Sequence, residues 1–104
     1  MAKFIEQPNE GVALKNKEKV ERPTRFKVLL LNDDYTSMEF VVEILRGIFK
    51  KQHDEAVTIM LKVHQNGTGL AGVYVKDIAE SKVNEVHENA RNQGFPLRCS
   101  IKPE

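Results

Sequence analysis

Three groups of residues in this chain combine types and spacings that could do chemistry. Asn32-Asp33-Asp34 gathers hydrogen-bond acceptors directly after an apolar run, although Asx turns and helix caps use the same residue types routinely. His64 follows Met60 by four positions and so shares its helical face; a half-buried histidine bonded to backbone is the plainer alternative. Met38, Val41, Met60 and Val63 at helical spacing suit either an ordinary core or the wall of an apolar pocket.

Enzymatic readings find little support. Asp33 and Asp34 are adjacent and point in different directions, so they cannot flank a substrate as a carboxylate pair. Asp33, Asp34, His53, His64 and His87 show no metal-ligand spacing. Ser37 lacks a nucleophile-elbow context. Gly67-x-Gly69-x-x-Gly72 matches the letters of a dinucleotide loop, but it precedes and enters a strand and offers no helix N-terminus to a pyrophosphate. No metal and no cofactor is expected, and the residues by themselves lead to a small binding domain.

The elements that position these groups follow from the hydrophobic pattern. Phe26-Lys27-Val28-Leu29-Leu30-Leu31 reads as a mostly buried strand ending at Asn32. Thr36 and Glu39 have capping-box spacing and predict the start of a helix. Its polar stripe is Glu39, Glu43, Arg46 and Lys50, and its remaining positions are apolar. A second helix is expected from His53, with Ala56, Met60 and Val63 inward, ending at Asn66-Gly67-Thr68-Gly69. Leu70 to Val75 reads as a strand, Asp77 with Glu80 as a second capping box, and Ala79, Val83, Val86 and Ala90 as the inner stripe of a third helix ending at Gly94. Leu97, Cys99 and Ile101 alternate with polar residues as a last strand. The order is βααβαβ, an α+β fold with three helices on one face of a three-stranded sheet.

At 104 residues the chain is expected to form one domain, residues 25–104, after a flexible extension over residues 1–24. That extension mixes charges of both signs with two prolines and has no sustained apolar period. Residues 25–104 hold eleven basic and eleven acidic side chains, without the basic excess that backbone-driven nucleic-acid binding needs. Composition is too polar for a membrane span, the N-terminus lacks a signal-length apolar run, and Cys99 is the only cysteine. A cytoplasmic protein without disulfides, nucleic acid or membrane partners is therefore expected, and it is read as a monomer.

With Asn32-Asp33-Asp34-Tyr35-Thr36-Ser37-Met38-Glu39-Phe40-Val41-Val42 in view, the sequence resembles the ClpS family of bacterial adaptors. The resemblance continues through Met60-x-x-Val63-His64, Gly72-Val73-Tyr74, Ile78 to Val83, Ala90-Arg91 and Gly94-Phe95-Pro96-Leu97. Members of that family are not enzymes. They recognise N-degrons, proteins beginning with Leu, Phe, Tyr or Trp, and hand them to a Clp ATPase, ClpA or ClpC, partnered with the ClpP peptidase. By position, the resemblance makes Asn32, Asp33 and His64 the binders of the substrate's α-ammonium. Asp34 and Thr36 would shape the loop and touch the adjoining backbone, and Met38, Val41, Met60, Val63 and Leu97 would line the side-chain pocket. Asp77 and Lys82 would face the ATPase N-domain, and the N-terminal extension would serve as a handle for the motor. The family's usual proline at the first helical position is Ser37 here. A small α+β interaction domain without such a pocket, or a hydrolase using Asp33 and His64, are the other classes the pattern admits.

Overall fold

The computed structural model describes residues 23–104. The expected extension, apart from exposed Pro23 and Thr24, lies outside the described residues. The elements are β1 (Arg25–Leu31), α1 (Met38–Gly47), α2 (His53–Asn66), β2 (Thr68–Val75), α3 (Lys76–Gln93) and β3 (Arg98–Pro103). They follow the expected βααβαβ order.

β1 is the middle strand, antiparallel to both neighbours, in the order β2-β1-β3. Its alternation decides the layering. Val28 and Leu30 are fully buried, and the residues between them turn to the other face. Against Val28 and Leu30 pack Phe40, Val41, Ile44 and Leu45 of α1, Ala56, Ile59 and Val63 of α2, and Ala79, Val86 and Ala90 of α3, with Leu97 and Phe49 closing the core. A register shift between Val28 and Leu29 leaves Ala71 unpaired on β2 as a bulge.

Helix ends depart from the expected pattern where side chains find better partners. α1 is capped by Ser37, whose hydroxyl accepts from the Phe40 N–H at 3.1 Å. Thr36 is unavailable for that role because its own hydroxyl donates to Asp33. α1 stops at Gly47 with Ile48 as its C-cap, so Lys50 falls outside the helix, in a left-handed conformation with φ 58°. α3 begins directly out of β2, with Val75 at its N-cap position and no side-chain cap. Asp77 thus sits in the first turn beside the positive helix end. On α2 the fully inward row is Ala56, Ile59 and Val63, and Met60 is half-buried. Gly67 and Gly94 end α2 and α3 at φ 90° and 78°, where only glycine is relaxed.

α3 is tied to β3 through His87, whose Nε2 accepts from the Cys99 N–H at 3.1 Å. Burial, and then the guanidiniums of Arg98 and Arg91, hold this imidazole below the ordinary value of 6.5. A proton therefore binds the unfolded chain before the folded one. The contact's contribution is complete above about pH 6.5 and declines as pH falls toward the lowered folded value. Urea unfolding should accordingly show stability falling from about pH 6.5 into mild acid. His87→Gln should cost about 1 kcal/mol at neutral pH and flatten that part of the profile; parallel profiles for the two proteins would clear His87 of the effect.

Candidate functional site

The end of β1, the loop after it, the first turns of α1 and the last turns of α2 enclose a cleft of about 220 Å3. One wall is polar, made by Asn32, Asp33, Asp34, Thr36 and His64. The other is apolar, made by Met38, Val41, Met60 and Val63. Nine of the ten side chains expected at a binding site are thereby brought together. Leu97 is not among the lining residues; it is buried in the core just before β3 and borders a separate depression with His87 and Phe95. Its sequence pattern marks an apolar strand residue and cannot say which side of the core it fills.

Asp33 organises the polar wall. Its Oδ1 accepts from the N–H groups of Tyr35 and Thr36, each at 2.7 Å, and its Oδ2 accepts from the Thr36 hydroxyl at 2.7 Å. Burial raises the carboxyl's pKa, but the bonds from Thr36 and Tyr35 outweigh it and hold Asp33 below its ordinary value of 3.8. The loop's ordering by Asp33 is therefore present above that value and lost as pH falls through the lowered one. A carboxylate has about four lone-pair sites, so about one, on Oδ2, is left to face the cleft. Asn32 and Asp34 are exposed beside it. Asn32 is pinned through its backbone, whose N–H donates to the Gly67 carbonyl at 2.9 Å and joins the loop to the end of α2.

His64 stands in the last turn of α2, exposed, on the cleft side. The half-buried, backbone-bonded histidine of the plainer alternative is instead His87. Met38 opens α1 and is 45% exposed, which puts its flexible thioether at the rim, whereas Val41 and Val63 are buried at the base.

Two supporting features escaped the sequence pattern. Gly69 lets β2 approach α2 closely, since a Cβ there would lie 2.6 Å from Val63 Cγ2 and 3.2 Å from the Ile59 carbonyl oxygen. Any larger residue would displace Val63, part of the apolar wall; a glycine inside a strand was the available signal. Lys82 spans from α3 to donate its ammonium to the Ile48 carbonyl at 2.8 Å, with the Tyr74 ring centroid 5.7 Å away. It is half-buried and caps α1, while Asp77 is exposed.

No three His, Cys, Asp or Glu side chains among the described residues gather as a metal site. Burial pushes the Cys99 thiol up to about 12, so it stays protonated and a poor nucleophile at neutral pH. Among the described residues no helix is long and apolar enough to cross a membrane.

A small α+β scaffold with a cleft of acceptors at one end and aliphatic side chains at the other defines a binding protein for a short amphipathic group. The ClpS family profile, described as ATP-dependent Clp protease adaptor protein ClpS, matches residues 21–100. The ClpS adapter of Desulfatibacillum aliphaticivorans is 56% identical over 87 residues, 84% of each chain. That of Maricaulis maris is 50% identical over 94 residues, 90% of this chain and 86% of its own. Among solved structures, Agrobacterium tumefaciens ClpS2 bound to L-phenylalaninamide superimposes with a TM-score of 0.77 at 40% identity, covering 80% of this chain and all of that one. The chain belongs to the ClpS family of ATP-dependent Clp protease adaptor proteins.

The two functions of Asp33, loop order and negative charge, can be separated. Asp33→Ala removes all three loop bonds and should lower unfolding stability by about 2 kcal/mol. Asp33→Asn keeps a carbonyl oxygen for the two backbone N–H groups and should cost less than about 1 kcal/mol. Equal losses in denaturant titrations would show that the loop depends on the charge itself.

Proposed function

We propose that the cleft binds the first residue of a protein chain, its α-ammonium at the polar wall and a Leu, Phe, Tyr or Trp side chain in the apolar end, for delivery to a Clp ATPase. The observation that carries this reading is the cleft's division into acceptors and aliphatics within one small volume. At about 220 Å3 it is below the roughly 300 to 1,000 Å3 of small-molecule sites, a size suited to one side chain. The ligand of the Agrobacterium relative, an amino-acid amide with a free amine and a benzyl side chain, has the same two halves.

An ammonium has three donors and meets the open Oδ2 site of Asp33 and the neighbouring Asn32 and His64. Charge-assisted hydrogen bonds contribute about 1.5 to 3 kcal/mol each, and burying a large apolar side chain about 1.5 to 3 kcal/mol. Association costs at least about 4 kcal/mol, so neither half suffices alone. Asp34 and Thr36 border the path of the following backbone. Leu97 acts from behind, as part of the core against which the helices pack. The ATPase N-domain, of ClpA or ClpC, docks on exposed Asp77 and on Lys82, whose ammonium has two further N–H donors besides the one bonded to the Ile48 carbonyl. The adaptor works as a monomer in the cytoplasm, and residues 1–24 are the handle for the motor.

Isothermal titration of a Leu-initiated peptide and its N-acetylated twin tests the reading. The free amine should bind at least about tenfold more tightly, the equivalent of one charge-assisted bond. Equal affinities would refute ammonium recognition.

Met38 at the rim should govern which first residues enter. Val and Ile carry two heavy atoms on Cβ, next to the pinned backbone, and meet the Met38 side chain there. Met38→Ala should admit Ile- and Val-initiated peptides while weakening Leu by only a few-fold, because lost contact and relieved clash oppose each other. Anisotropy titrations showing one uniform loss for Leu, Phe, Ile and Val would make Met38 a general wall and no gate.

A further inference from the structure

The sheet face opposite the helices is uncovered among the described residues. Register places Lys27 beside Val73 and Lys102 there, and Leu29 beside Leu70 and Ser100. Leu70 is 44% exposed, while Leu29 and Val73 are half-buried. Around this apolar strip the charges have one sign: Lys27 and Lys102 are exposed. Arg25 at the edge is already neutralised by Glu104, at 2.8 and 2.9 Å. A second copy of the face would bring like charges together, which opposes self-pairing. The complement is an acidic segment with apolar residues.

This chain carries such a segment. Residues 4–14, outside the described part, hold Phe4, Ile5, Val12 and Leu14 with Glu6 and Glu10, and contain no Lys or Arg. The basic residues of the extension, apart from Lys3, fall in the spacer that follows: Lys15, Lys17, Lys19 and Arg22. The ten positions from 15 to 24 reach up to about 33 Å, whereas the seven residues of β1 span about 23 Å. The segment can therefore return along the whole face.

We propose that residues 4–14 dock on the open sheet face, with Glu6 and Glu10 against Lys27 and Lys102, and their apolar side chains over Leu29 and Leu70. A short tether supplies an effective concentration in the millimolar range, so a contact of millimolar strength is occupied about half the time. The docked extension withholds itself from other partners and shields the strip. This contact is independent of peptide binding in the cleft.

The test uses the full chain and its amide NMR spectrum. In Glu6→Lys/Glu10→Lys the resonances of Leu29, Leu70, Val73 and Ser100 should shift, while those of Asn32 and His64 stay. Raising salt from about 0.05 to about 0.5 M should move the same resonances in the same direction. Unmoved face resonances would leave the strip to an external acidic partner and overturn the proposal, as would shifts that scale with protein concentration. Conversely, Lys27→Glu/Lys102→Glu should speed Glu-specific proteolysis at Glu6 and Glu10 by about twofold, and combining it with Glu6→Lys/Glu10→Lys should restore the native resonance positions. An unchanged cleavage rate would overturn the docking.

Discussion

The carboxylate of Asp33 is the constraint on which the cleft depends. Leaving β1, the chain must turn out of the sheet and enter α1 within six residues, 32–37, and the bonds to Tyr35 and Thr36 fix that turn. They also take Thr36 out of competition, so that Ser37 caps α1, and the helix start in turn sets where Met38 and Val41 stand. A loop held by three short bonds at its own carboxylate is ordered before anything binds, which lowers the entropy lost on association.

The second half of the site is positioned by packing instead. α2 is held against β2 at Gly69 and against the core by Ala56, Ile59 and Val63, leaving Met60 and His64 on the cleft side. The Phe40–Phe95 ring pair, 5.0 Å between centroids, braces α1 from the far side. Between these supports the cleft is a gap left by elements that are individually well packed. Burying its aliphatic wall under a ligand side chain would complete the core.

The element order was legible in the sequence because strong local signals agreed: an unbroken apolar strand, glycines at two helix ends, and an alternating last strand. The acceptor cluster and the aliphatic set were also legible, since both fall at ordinary loop and helix spacings. Cap positions were not, because Thr36 and Ser37 are equally good capping residues and only the three-dimensional path of Asp33 decides between them. Val75 as a helix-leading residue defies local preference; the continuous run from β2 into α3 overrides it. Lys82 to Ile48 and Cys99 to His87 are long-range bonds that no pattern of neighbours encodes. Leu97 has the right chemistry for the cleft but is buried in the core just before β3, a placement that needs coordinates.

The central strand has a bearing on biosynthesis. β1 is made first among the described elements, yet one of its edges is filled by β3, and Arg25 and Glu104 lie 79 positions apart. While the ribosome is still at work, β1 can pair with β2 and gather α1 and α2, but the edge facing β3 presents unpaired N–H and C=O groups on a leucine-rich strand. That edge stays open until the last strand has cleared the exit tunnel. The nascent chain therefore carries an open strand edge throughout its synthesis, and pairing across so long a separation raises the contact order of the fold.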